Sequence, residues 1–308
     1  MSAAKISRRL LIAFFFWLAI ATSFAQAESK QPDEGDDGKP LVIGLVPEQN
    51  IFKQVERYSP LADFLSEKIG HRIKLTVMTR YGDIINNFVS SGLDGAFFGG
   101  LTYVLAHAKI GVEVLARPED LNGSSTYHGI IFVRKESKIK NVKDMKGKRF
   151  ALVDKASLAG FLLPLAYFRQ HGIRDHKAYL KETYYTGTQE DTIYDVLNKK
   201  ADIGAAKNTV FKMLATTEPR IRRELKILTR SPDVPENALA VREGLDASLK
   251  QAIEEALLTM HNDPAGRTVL KNFGARRFIR TTDKDYEPVF RYAQEIKLNL
   301  AQFDYMNE

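Results

Sequence analysis

Continuous apolar runs of strand length alternate along this chain with segments whose apolar residues recur every three or four positions. Leu41-Val42-Ile43-Gly44-Leu45-Val46 opens the series and has the composition of a strand buried on both faces of a sheet. Pro47 to Asn50 ends it. The spacing then predicts a helix from Ser59 to Lys68, with Ser59 as N-cap and Pro60 in the first turn. Leu61, Phe64 and Leu65 share one face of it, and Gly70 stops it. Strands follow at Ile73–Met78, Leu93–Phe98 and Val112–Ala116, with helices at Tyr81–Ser91 and Leu101–Lys109 between them. This strand–helix alternation is that of an open parallel sheet with helices on both faces.

Pro118 to Ser125 reads as loop, and Tyr127 to Arg134 as a long strand that crosses into a second lobe. The alternation restarts there. A short helix and turn at Val142–Lys148 precede a strand at Arg149–Asp154 and a helix that Gly172 stops beyond Gln170. Strands within Tyr179–Tyr185, at Asp202–Ala206 and at Leu225–Arg230 are separated by helices at Glu190–Lys199 and Thr209–Ala215. Ser231-Pro232-Asp233-Val234-Pro235-Glu236-Asn237 is held extended by its prolines and leads back through Ala238–Arg242. Helices over 246–262, 264–273 and 286–300 then pack on the first lobe. The predicted architecture is α/β, with a discontinuous first lobe (41–130 and 236–308), an inserted second lobe (131–235) and two hinge crossings.

The first residues do not belong to that pattern. Lys5, Arg8 and Arg9 precede the apolar run Leu10–Ala21, and Ala25-Gln26-Ala27 follows as a small-residue cleavage site. Residues 1–27 therefore read as a secretory signal peptide cleaved after Ala27, with an apolar stretch short of the ~20 residues that span a bilayer. Residues 28–40 read as a polar, flexible leader. Cleavage lowers the formal charge of the 308-residue chain from +7 to +4. That mild excess, without a basic block interleaved with aromatics, argues for a small anionic ligand and against nucleic acid. The chain has no Cys, so an exported product carries no disulfide and no lipidated N-terminal cysteine.

In an open α/β sheet, ligands bind beyond the carboxyl ends of the strands. The loop between the strand ending at Asp154 and its helix reads Ser157-Leu158-Ala159-Gly160. Its small residues open a helix whose first N–H groups have no intrahelical partner and favour an anion. Thr188 and Gln189 sit at a second such corner, where Thr188 and Asp191 form a capping-box-like pair. Tyr58, Tyr103 and Asn237 are the candidates from the first lobe and the return crossing. No G-x-S-x-G elbow, P-loop or H-E-x-x-H motif occurs, and the six His residues show no metal-ligand spacing. A non-enzyme without cofactor or metal is expected.

Glu56-Arg57-Tyr58-Ser59-Pro60-Leu61-Ala62-Asp63-Phe64-Leu65, Asp94-Gly95-Ala96-Phe97-Phe98-Gly99-Gly100-Leu101-Thr102-Tyr103 and Lys143-Asp144-Met145-Lys146-Gly147-Lys148 resemble, in order and spacing, segments of the periplasmic phosphate-, phosphite- and phosphonate-binding proteins of ABC importers. Ser231-Pro232-Asp233-Val234-Pro235 resembles that family's return crossing. The resemblance implies a type II periplasmic binding protein fold, two lobes that close by hinge motion on a ligand, and an ABC permease as partner. A sensing subunit for a membrane kinase or cyclase is the alternative, and a monomer is expected. The family's anion loop reads S-T-S-G, so Leu158 and Ala159 remove two hydroxyls; Gln189 stands where His is common, and Thr209 and Asn237 stand where aminophosphonate binders carry acids. These departures point away from aminoethylphosphonate and towards another oxyanion or phosphorus compound.

Overall fold

Two sheets, built from different stretches of chain, organise the computed structural model, which describes residues 38–307. The proposed signal peptide and most of the leader lie outside those residues. The first sheet contains β1 (Leu41–Leu45), β2 (Ile73–Val77), β3 (Gly95–Phe98) and β4 (Val112–Asp120). A two-stranded ribbon pairs β5 (Thr126–Tyr127) with a later crossing. The second sheet contains β6 (Gly129–Arg134), β7 (Arg149–Leu152), β8 (Glu182–Tyr185), β9 (Ile203–Lys207) and β10 (Leu225–Arg230). The chain returns through β11 (Val234–Pro235), the ribbon partner of β5, and adds β12 (Ala238–Arg242) and β13 (Ala275–Arg280) to the first sheet.

The strand orders are β13-β4-β12-β3-β1-β2 and β10-β6-β9-β7-β8. Both sheets are mixed rather than mainly parallel. β1 runs parallel to β2 and β3, and β7 parallel to β8 and β9. The strands next to the crossings are antiparallel to their neighbours: β12 to β3 and β4, and β6 to β9 and β10.

The first long helix begins earlier than its proline suggests. It spans Ile51–Ile69, capped by Asn50, whose side chain accepts from the N–H groups of Phe52 and Lys53. Pro60 lies inside it, and the Ser59 hydroxyl donates to the Val55 carbonyl instead of capping. β4 continues through Pro118 to Asp120 because β13 pairs along it, antiparallel. β13 was not legible as a strand: its outer residues are arginines, and Arg276 and Arg277 pair with Glu119 across the edge.

The cores follow the sheets. On one face of the first sheet Leu101, Tyr103 and Tyr286 are fully buried; on the other, Tyr58 packs edge-on against Phe97 and Phe273 at 5.1 and 5.0 Å between ring centroids. Phe132, Phe150 and Phe168 fill the second lobe. The helix after β7 starts with a π-turn, Leu158–Leu162, before continuing as Leu163–Gln170. Gly160 is required there: any Cβ would run into the buried Val153 side chain.

Candidate functional site

The facing ends of the two sheets meet in one closed cleft. From the first lobe come Glu48, just past β1, Tyr81, Gly99-Gly100 at the end of β3, and Asn237; Tyr127 comes from the ribbon. From the second lobe come the Ala156–Ala159 loop, Gln189 at the start of a helix (Gln189–Leu197) and Lys207 at the end of β9. Glu48 and Gly99 follow the ends of β1 and β3, and Ser157 and Gln189 stand at helix starts, where the general rule for such sheets places a ligand. The space left between them is about 10 Å³, room for one water molecule at most.

Each polar group in the cleft is held by others. Gln54, in the first turn of its helix, accepts from the Glu48 N–H at 3.0 Å and fixes the chain there. The Glu48 carbonyl then accepts from the N–H groups of Gln189 and Glu190, at 3.1 and 3.3 Å, from the opposite lobe. Gln189 uses its whole amide: its Oε1 accepts from Lys207 N at 2.8 Å, and its Nε2 donates to Tyr81 Oη at 3.1 Å and Ser157 Oγ at 3.2 Å. Ser157 Oγ also accepts from Gly160 N at 3.0 Å, so the hydroxyl caps its own helix. The Glu190 carboxylate crosses back to Asn50 N at 2.8 Å.

Lys207 is the centre of charge. Only 3% exposed, its ammonium donates to Glu48 Oε1 and Asn237 Oδ1, both at 3.0 Å, and pairs with Glu236. It lies 4.4 Å from the Tyr127 ring centroid. Burial alone would depress its pKa, but Glu236 and Glu48 outweigh that and raise it above the ordinary lysine value, so it is charged. Next to the cleft, Asp154 is 1% exposed, and burial pushes its carboxyl up to about 6 against hydrogen bonds from Ala156 N and Asn307.

Of the residues singled out from sequence, Ser157, Leu158, Ala159, Gln189 and Asn237 line the cleft together. The others do not. Tyr58 packs its ring between Phe97 and Phe273 in the core of the first lobe, with Glu48, Lys207 and Glu236 near enough for their charges to act on its hydroxyl. Tyr103 packs on Tyr286 at 4.1 Å and donates to Asp283, so it lines a separate groove of about 720 Å³ on the first lobe. None of the interlobe residues reaches that groove. Thr188 is a helix cap bonded to Asp191, and Gly160 is buried behind the loop against Val153. Glu48, Tyr81, Tyr127, Lys207 and Glu236 were missed. A lysine ending an otherwise apolar strand, Ile203-Gly204-Ala205-Ala206-Lys207, was the available signal.

Among the described residues no group of His, Cys, Asp and Glu is placed to hold a metal, and no helix is long and apolar enough to cross a membrane. Residues 43–286 match the family described as the periplasmic substrate-binding protein of phosphonate ABC transporters. The chain belongs to this family. It is 26% identical over 306 residues to the phosphonates-binding periplasmic protein of Escherichia coli K12, covering 96% of this chain and 88% of that one. It is 24% identical over 265 residues to a probable phosphite-binding protein of an ABC transporter from Prochlorococcus marinus, covering 82% and 88%. The crystal structure of a binding-protein component of a phosphonate transporter from Pseudomonas aeruginosa superposes with a TM-score of 0.78 at 21% identity, covering 84% of this chain and 87% of that one. The methylphosphonate complex of the Prochlorococcus protein PhnD1 gives 0.74 at 21% identity, covering 84% and 98%. These structures share the two-lobed periplasmic binding protein fold.

Proposed function

We propose that this substrate-binding protein captures a small oxyanion or phosphorus-containing compound between its lobes and presents the closed form to the permease of an ABC importer. The observation that carries this is the convergence in one cleft of a helix N-terminus at Ser157 from one lobe with Tyr81 and Asn237 from the other. The helix start favours an anion, whereas the charge of Lys207 is offset by Glu48 and Glu236. With only about 10 Å³ left in the closed cleft, a ligand on this reading enters an open form and closure follows its binding. Binding, not catalysis, is the activity. The protein works in the periplasm as a monomer, after loss of residues 1–27.

Thermal-shift and calorimetric titration with phosphate, phosphite and methylphosphonate test this. At least one is expected to raise the melting temperature and reduce the radius of gyration in solution scattering. An unchanged melting temperature and radius across the panel would overturn the reading. Intact-mass measurement of periplasmic protein tests the cleavage after Ala27, and light scattering tests the monomer.

A second reading is favoured by the cross-lobe bonds from Gln189, Glu190 and Lys207 to lobe 1, which close the cleft using only the chain's own groups. A shape held this way also suits a subunit that a membrane sensor, rather than a permease, recognises. Capture of a sensor instead of a permease by the purified protein from detergent-solubilised membranes would favour it.

A further inference from the structure

The ammonium of Lys207 is surrounded as a bound ligand would be. Its three N–H donors meet three acceptors: Glu48 Oε1, Asn237 Oδ1 and the Glu236 carboxylate. The face of Tyr127 lies 4.4 Å away on the ring axis side of the nitrogen. Two carboxylates, an amide oxygen and an aromatic face are the groups that recognise an alkylammonium. They come from the first lobe and the ribbon, whereas Lys207 comes from the second lobe. The cage carries a formal charge of −2 without the lysine and −1 with it. Nothing within the lysine's own strand or helix compensates its charge, so the cage holds it as a separate body would.

We infer that Glu48, Glu236, Asn237 and Tyr127 form an alkylammonium-binding cage, and that Lys207 occupies it as a tethered ligand. The inference rests on the reading of the cleft as a binding site. Its consequence is a specificity rule. In the closed form Lys207 fills the cationic half of the cleft, so an aminoalkyl anion must displace it for the lobes to close, and the protein takes an anion with no amino group of its own. The Ser157 loop, whose hydroxyls are reduced to one, is left as the anionic half.

The test removes the tether and supplies a free equivalent. K207A leaves a methyl group, and n-propylammonium restores the missing stem and charge. Saturable 1:1 binding of n-propylammonium to K207A, measured by calorimetry, is expected, with none to wild type and none of propan-1-ol to either. Affinity for 2-aminoethylphosphonate is expected to rise by about tenfold or more in K207A, a change of about 1.4 kcal/mol or more. K207A leaves two carboxylates unpaired, so K207A/E236Q, which restores the formal charge to −1, is measured alongside. If either variant is unfolded alone, n-propylammonium is expected to refold it, followed by circular dichroism. Absence of saturable amine binding or amine-dependent refolding in both variants overturns the cage. The anion panel on wild type is read separately. Amine binding in K207A with no anion response in wild type leaves the cage standing and removes the anion reading; the converse removes the cage alone.

Discussion

Asp154 gives the sharpest quantitative prediction. Its carboxyl lies two residues past β7, where the chain leads into the Ser157 loop, and is 1% exposed. It accepts from Ala156 N and from Asn307 Nδ2, each at 2.8 Å. Those bonds favour the charged form, yet burial wins and places the pKa at about 6, against 3.8 for an unperturbed aspartate. The folded protein therefore holds this proton more tightly than the unfolded chain. Its contribution to stability is complete below about pH 4 and is lost as pH rises through about 6. A shift of roughly two units corresponds to about 3 kcal/mol. Asp154→Asn keeps an oxygen for Ala156 N and cannot ionise. The variant's unfolding free energy minus that of wild type is expected to grow by about 3 kcal/mol between pH 3.5 and pH 7.5. Urea unfolding of both proteins at half-unit steps measures it, and every other titrating group cancels in the difference. The amide that now faces Asn307 adds an offset that does not vary with pH, so the slope is the observable. A level difference across that window refutes the assignment.

Three further outcomes follow from the same region. Gly160→Ala drives a methyl group into Val153 and is expected to destabilise by about 3 kcal/mol or more, with much of the loss recovered in Gly160→Ala/Val153→Ala; equal melting temperatures for the single and double variants would count against the packing argument. Ser157→Ala removes the cap on Gly160 N and the acceptor for Gln189, costing about 1 kcal/mol in urea unfolding, and is expected to weaken anion binding while the circular dichroism spectrum stays native. Truncation after Leu300 removes a segment that spans both lobes: Tyr305 Oη donates to Asn86 at 2.7 Å, and Asn307 bonds Asp154 and Lys155 N. Solution scattering is expected to show a larger radius of gyration for the shortened protein, and an unchanged radius would show that the tail does not brace the lobes.

The order of strands and helices was legible because each element is specified by its own residues, and burial of an apolar run needs no information from elsewhere. The errors fall where a distant partner decides. Arg276 and Arg277 make β13 look like loop, and only Glu119, on the neighbouring strand, makes them edge residues. Ser59-Pro60 has the composition of a helix start, but Asn50 offers a free side chain one turn after β1, and the chain takes the earlier cap. That choice adds more than two turns to the helix, and Tyr58, on the added part, packs its ring against Phe97 and Phe273.

The cleft itself was half legible for a related reason. Ser157 and Gln189 stand at corners that local pattern can find, whereas Glu48 and Lys207 gain meaning only from each other, across 159 residues of chain. A lysine buried to this degree would ordinarily lose its proton or its place in the fold. It keeps both because the carboxylates of the opposite lobe arrive when the lobes meet. The pairing energy and the cost of taking three charges out of water are of similar size and opposite sign, so the intact cluster adds little net stability to closure. What it fixes is geometry: the lobes can meet in only one register, with Lys207 between Glu48 and Glu236. A cluster that adds little to closure leaves the other cross-lobe bonds, and any bound ligand, to decide how firmly the lobes hold.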